Sequence, residues 1–189
     1  CWWKSSYYEG SVGVPLVARL PGVIPPGSSS GLICNLMDLG PTLVDLAGGD
    51  PMAEVDGASL WPTLTGSSES SHPNETFSEH LGQEGIPSRM IRTGPWKCYT
   101  YHDNTPPVLY NLEEDPGEVN DLSGDSKYDA VRNDLLDQIH EEWDPEYVLA
   151  ESAELDRDIS VLTRWGNRIQ PRLEENVAVP KNAEDVEIL

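Results

Sequence analysis

The chain has 189 residues, 38% of them apolar, with 16 Gly and 16 Pro. That is enough for one domain with a core, and it calls for many turns. Asp and Glu number 33 against 12 Lys and Arg, a formal net charge of −21, which excludes nucleic acid as an expected partner because phosphate contacts need Lys and Arg. No run approaches the ~18 apolar residues of a membrane span. Cys1, Cys34 and Cys98 form no CxxC pair and no disulfide framework, which favours a reducing, cytoplasmic setting. The acid is dense around residues 113–115, 141–144 and 184–187 and reads as solvated surface. Scarce Lys with abundant Asp and Glu also fits adaptation to high salt.

In chain order, "VPLVARL" (14–20) is a nearly continuous apolar run, closed by Pro21–Gly22. It predicts a buried strand of a parallel sheet covered on both faces. "VIPPGSSSGL" (23–32) is a loop. "MDLGPTLVDLAGGD" (37–50) predicts a short helix with Asp38 as cap, Leu39, Leu43 and Leu46 on one face, and Gly48–Gly49 at its end. Residues 50–76 read as a long surface connection. "SRMIRTG" and "WKCYTYHD", joined near Gly94–Pro95, and "PVLYNL" (107–112) predict a small antiparallel sheet over 86–112.

The strongest helical pattern is "SKYDAVRNDLLDQIHEEW" (126–143). Tyr128, Val131, Leu135, Ile139 and Trp143 recur at three- to four-residue steps, with Asp125 or Ser126 as cap and Pro145 as stop. A further helix is expected over about 147–165, with Val148, Leu155, Ile159 and Leu162 on one stripe, and the last two dozen residues as weakly structured. Motifs of independent catalysis are missing: no GxSxG, HExxH, phosphate loop or dinucleotide fingerprint. His72, His80, His102 and His140 show no metal-ligand spacing.

The order of four segments carries more information. "WWKSSYYEGSVGVPLVARLPG", "DLGPTLVDLAGGDPMAEVDGASLWPTLTG", "RMIRTGPWKCYTY" and "LYNLEEDPGEVNDLS" together resemble the C-terminal part of sulfatases, within the alkaline phosphatase superfamily, over about residues 2–143. The fold implied is α/β: the C-terminal edge of a doubly wound sheet, plus a small antiparallel sheet packed by a C-terminal helix. The domains implied are a remnant of the catalytic domain (1–74), a small α+β subdomain (75–145) and an acidic helical tail (146–189).

The resemblance assigns Lys4 to sulfate binding. A sulfate ester gathers negative charge on its oxygens as the S–O bond breaks, and a preorganised cation stabilises that charge. By the same resemblance Glu9 orients the loop, Gly10 permits a tight turn, and His80 and His102 are candidates for the substrate rim. Sulfatases carry a formylglycine nucleophile, made from Cys or Ser in a "CxPxR"-type motif, and a divalent metal site, usually Ca²⁺; both are expected upstream of this chain. None of its three Cys is followed by "xPxR". The chain is therefore expected to be a fragment, inactive alone, with no metal site of its own. Two positions depart from the family pattern: Gly13 stands where Arg or a similar residue is common before "VP", and "LYNL" replaces "LYDL".

The activity implied for the full-length protein is hydrolysis of a small-molecule or saccharide sulfate ester. Phosphonate monoester or phosphodiester hydrolysis is the alternative within the superfamily. A non-catalytic acidic binding module is the alternative from another class. No membrane span and no nucleic acid are expected, and a homo-oligomer could form through the C-terminal tail.

Overall fold

The structure is a computed structural model that describes residues 6–67, 71–82 and 85–169. The chain divides into two compact units, 1–146 and 147–189.

At the centre of the first unit is a four-stranded antiparallel meander: β1 (Glu75–Leu81), β2 (Pro87–Thr93), β3 (Trp96–Tyr101) and β4 (Val108–Asn111). Gly94, at φ +49°, makes the tight β2–β3 turn, a backbone conformation that suits glycine. Ile91, Cys98 and Leu109 are in register across β2–β4 and fully buried. Their face packs against α4 (Asp129–Glu141), which buries Leu135 and Ile139. Arg89, on the same face, stacks its guanidinium over the Phe77 ring at 4.3 Å and donates to the Ile139 carbonyl at 2.8 Å. A cation is favoured there, near the helix C-terminus.

The opposite face carries Met90, Tyr99 and Tyr110, clustered with Tyr7 from the N-terminal segment. Cover on both faces explains why β3 is buried over residues 97–100 without alternation. The predicted sheet over 86–112 thus forms, with one more strand, β1, at its edge.

The helix expected over 126–143 forms with a 3₁₀ turn at Ser126–Tyr128, where the Asp125 side chain accepts from the Lys127 N–H. His140 stacks on the buried Trp143 at 5.7 Å.

The strand expected over 14–20 does not form. Val14, Leu16 and Val17 are 67%, 50% and 89% exposed, in backbone without regular structure. An apolar run becomes a strand only beside a partner's backbone groups, and each strand of the described sheet pairs with another of β1–β4.

Helix α2 covers Leu39–Leu46, and its cap also differs from expectation. Asn35, not Asp38, caps the 3₁₀ turn Leu36–Asp38 that leads into it, accepting from the Met37 N–H at 2.7 Å. Asp38 is buried and ties loops together: its carboxylate accepts from Asn35 N–H (2.7 Å) and Ala58 N–H (2.8 Å) and lies 3.2 Å from His72 Nε2. The inward residue of α2 is Thr42, which donates to the Asp38 carbonyl and accepts from Leu60 N–H at 2.8 Å, while Leu43 and Leu46 are exposed. A satisfied Thr holds an incoming loop where a Leu could not. Residues 58 and 60 are therefore pinned to α2 and the turn before it, whereas residues 50–56 are exposed, as a surface connection would be. This connection leads into α3 (Trp61–Leu64). A Cβ on Gly57 would overlap the Met37 carbonyl, so only glycine fits there.

The described part of the second unit belongs to α5 (Pro145–Ile169), longer at both ends than the expected 147–165. Pro145, expected to stop the preceding helix, opens this one, where its missing N–H costs nothing. The expectation for the last two dozen residues lies on 166–189, most of it outside the described residues. No helix among the described residues is long and apolar enough to cross a membrane.

Candidate functional site

Residues 6–13 lie on the tyrosine-bearing face of the sheet. Tyr7 is 4% exposed, with its ring 5.2 Å from that of Tyr99. Its hydroxyl is 2.9 Å from Ser88 Oγ, which donates in turn to the His80 carbonyl at 3.0 Å. Tyr8 follows, its ring 6.3 Å from that of Tyr110. A single helical turn, α1 (Glu9–Val12), completes the segment.

Beneath it is the most buried charge of the described residues. Lys97, in β3, has no solvent exposure. Its ammonium donates to the Tyr7 carbonyl at 2.8 Å and meets Glu118 Oε1 at 2.7 Å and Glu9 Oε1 at 2.5 Å. Three donors thus meet three acceptors, which is what a buried ammonium needs. The second oxygen of Glu118 accepts the Glu9 backbone N–H at 2.6 Å, so strand, turn and N-terminal segment are joined in one ring of charge-assisted bonds.

Glu118 sits at φ +54°, uncommon for a residue with a side chain. The turn that holds it there is built by Asp115, whose carboxylate accepts from Val119 and Asn120 N–H at 2.8 and 2.7 Å. Upstream, Asn111 accepts from Glu113 and Glu114 N–H, so "LYNL" still closes its turn through an amide oxygen. Arg92 pairs with Lys97 across β2–β3. Burial lowers its pKa, and Glu9, Glu113 and Glu118 oppose that. Gly13 has a local reason as well: a Cβ there would lie 2.8 Å from the Glu9 carbonyl oxygen and 2.9 Å from its carboxylate.

The aromatic face responds to pH in one direction. Burial raises the Tyr7 pKa from 10.0 to about 12 and pushes Tyr99 and Tyr110 higher still. Burial also lifts the Cys98 thiol to about 12. The unfolded chain therefore loses these protons first. Their contribution to stability is whole below the unfolded values and is lost as pH rises through the folded ones. Tyrosinate absorbance is expected to rise together with loss of the folded circular-dichroism signal as pH climbs from about 10 to about 12. Full titration at ordinary tyrosine pH with the fold intact would contradict the packing described.

The anticipated site residues separate. Lys4 lies outside the described residues. Glu9 and Gly10 are on α1, and Gly10 occupies a helical turn rather than a glycine-only conformation. His80 lies on β1 opposite Ser88. His102 follows β3, its Nε2 2.9 Å from Glu146 Oε1. Sequence reasoning missed Tyr7, Arg92, Lys97 and Glu118. The available signal was a lone lysine inside the apolar and aromatic run "WKCYTY". The geometry suits anchoring rather than reaction, since every Lys97 donor is already used. Among the described residues no three His, Cys, Asp or Glu side chains form a group able to hold a metal ion.

Comparison with known proteins covers this same region. The family described as N-sulphoglucosamine sulphohydrolase, C-terminal, matches residues 1–144. Arylsulfatase K of Danio rerio is 37% identical over 139 residues, covering 70% of this chain and 26% of that protein. The Δ4,5-hexuronate-2-O-sulfatase of Bacteroides thetaiotaomicron is 34% identical over 131 residues, covering 67% of this chain and 27% of that protein. A solved protein in complex with its substrate D-glucosamine-2-N,6-O-disulfate superposes with a TM-score of 0.66 at 26% identity, over 73% of this chain and 29% of the other. The phosphonate monoester hydrolase of Silicibacter pomeroyi gives 0.54 at 28% identity, over 64% and 26%. The chain thus spans about a quarter of the length of the curated relatives it matches. With residues 1–144 matched from end to end, the chain belongs to the N-sulphoglucosamine sulphohydrolase C-terminal family of sulfatases.

Proposed function

We propose that this chain is the C-terminal part of a sulfuric ester hydrolase, in which Lys4 clamps the sulfate group and the Lys97–Glu118–Glu9 ring fixes the segment that bears it. The observation that carries this reading is the family match over residues 1–144 together with the anchoring of Tyr7 and Glu9, three and five positions after Lys4. Lys4 supplies a point charge to the non-bridging sulfate oxygens and stabilises the charge that develops as the ester bond breaks. Tyr7 and Glu9 hold the backbone in place, so little reorganisation is required at that moment. Sulfatases use a divalent cation, expected as Ca²⁺, and a formylglycine; the described residues present no ligand set for the first and no "CxPxR" motif for the second. Both belong to the full-length protein.

The substrate class is a saccharide or small-molecule sulfate ester, in keeping with the substrate named for the structural neighbour. A second reading, phosphonate monoester hydrolysis, draws on the likeness to the Silicibacter pomeroyi enzyme. Both esters present a tetrahedral anion that one lysine can clamp. Assaying the full-length protein on matched aryl sulfate and aryl phosphonate monoesters separates them: higher kcat/KM on the sulfate is expected, and the reverse order would favour the second reading.

A further inference from the structure

Lys97 has a neighbour whose position the ring alone does not explain. Arg92 stands directly opposite Lys97 in the β2–β3 ladder, so two cations share one cross-strand position. Like charges set opposite each other destabilise a sheet, and here one of the two has no solvent exposure. The Arg92 side chain is half-buried and held at the β2–β3 turn: Nη1 donates to the Gly94 carbonyl and, at 3.3 Å, to the Trp96 carbonyl. It lines the same cleft as Glu9. The carboxylates that favour its charged form are Glu9 from α1, and Glu113 and Glu118 from the turn after β4.

The charges explain the pairing. Lys97 brings one ammonium to the ring, whereas Glu9 and Glu118 bring two carboxylates. Those three groups alone leave one negative charge unmatched, on residues of which Glu118 is buried. An unmatched charge in a site shielded from water is unfavourable. With Arg92 beside them the charges sum to zero.

We propose that Arg92 is a positioning residue for the segment that follows Lys4: its charge balances the second carboxylate of the Lys97–Glu118–Glu9 ring and so keeps residues 7–12 docked on the sheet. Arg92 acts through Glu9 and Glu118 rather than on a reacting group, and its consequence for activity rests on the reading of Lys4 as the sulfate clamp. The two turn carbonyls do not call for an arginine, because a neutral amide can also donate to a carbonyl. The two carboxylates do call for a cation.

The test uses the full-length protein and reads hydrogen exchange over residues 7–13 together with kcat/KM for an aryl sulfate. Arg92→Lys keeps the charge and is expected to retain slow exchange and most of the activity. Arg92→Gln keeps an amide donor but removes the charge; exchange is expected to quicken by about tenfold or more, with kcat/KM falling in step. The variant that separates charge from turn bonding is Arg92→Gln with Glu118→Gln. It returns the sum to zero and keeps an acceptor for the Glu9 N–H, so its loss of protection should be smaller than the two single losses combined. If Arg92 only stapled the turn, the losses would add, as they do at independent sites. Additive losses, parent-like exchange in Arg92→Gln, or Arg92→Lys failing as badly as Arg92→Gln would each overturn the proposal. Should Arg92→Gln not fold, the other two variants still decide: protected segments in both support it, and loss of protection in Arg92→Lys overturns it. Exchange that follows the expected pattern while kcat/KM does not would uphold the role of Arg92 and count against Lys4 as the clamp.

Discussion

Replacing Lys97 with methionine is expected to destabilise the protein by about 3–5 kcal/mol, the usual consequence of removing one partner from a buried ion pair. Methionine nearly matches the lysine stem in volume, so the packing loss is small and the effect is electrostatic. The Glu118 carboxylate, on a residue only 7% exposed, would keep its hydrogen bond from Glu9 but lose its counter-ion, and the Tyr7 carbonyl would lose its donor. Urea unfolding of the full-length protein, followed by tyrosine fluorescence, measures the loss. The paired variant Lys97→Met with Glu118→Gln removes the uncompensated charge while keeping an acceptor for Glu9, and should recover part of the stability. A Lys97→Met protein within about 1 kcal/mol of the parent would show that the ammonium is solvated, since exposed pairs are worth no more than that.

If Lys4 clamps sulfate as proposed, replacing it with alanine in the full-length protein is expected to lower kcat/KM for a sulfate ester by about 10²-fold or more, the scale seen when one preorganised donor is removed from a transition-state site. Lys4→Arg should recover only part of the rate, because a planar fork does not reproduce a compact ammonium. The loss should fall on kcat at least as strongly as on KM if the charge is felt mainly as the ester bond breaks. Near-normal kcat/KM in the alanine variant would place Lys4 away from the sulfate. Lys97→Met offers a contrast: its first effect is on unfolding, and activity follows only as the Tyr7–Glu9 segment loosens.

The sequence made the local features legible. "RMIRT" and "WKCYTY" around Gly94–Pro95 read as a hairpin because turn chemistry and β-propensity agree there, and Leu135 and Ile139 marked the inward face of α4 through their spacing. β1 escaped notice because "ETFSEHL" is a polar edge strand with only Phe77 and Leu81 apolar. "VPLVARL" erred the other way: its hydrophobicity is real, but a strand is a relation between two backbones, and one segment does not reveal whether the other is there. Lys97 and Glu118 were illegible for a related reason. Each alone looks like a residue for solvent, and only a fold that brings positions 21 apart within 2.7 Å turns them into a buried pair. In the sequence Asp38 offers only a cap for α2; in the fold its carboxylate makes no cap bond to that helix and anchors residues 35 and 58 instead.

The meander has a consequence for the order of assembly. Each strand hydrogen-bonds to the next in sequence, so the sheet can zip up through short loop closures at modest entropic cost. The N-terminal segment is another matter: Tyr7 meets Ser88 across 81 residues and Lys97 across 90. Those contacts close far larger loops, and they need β2 and β3 in place to supply the landing surface. The segment that follows Lys4 is thus expected to dock late in folding, onto a scaffold already made. Mutations in the hairpin should then slow folding, whereas mutations at the Lys97–Glu9 contact should chiefly speed unfolding.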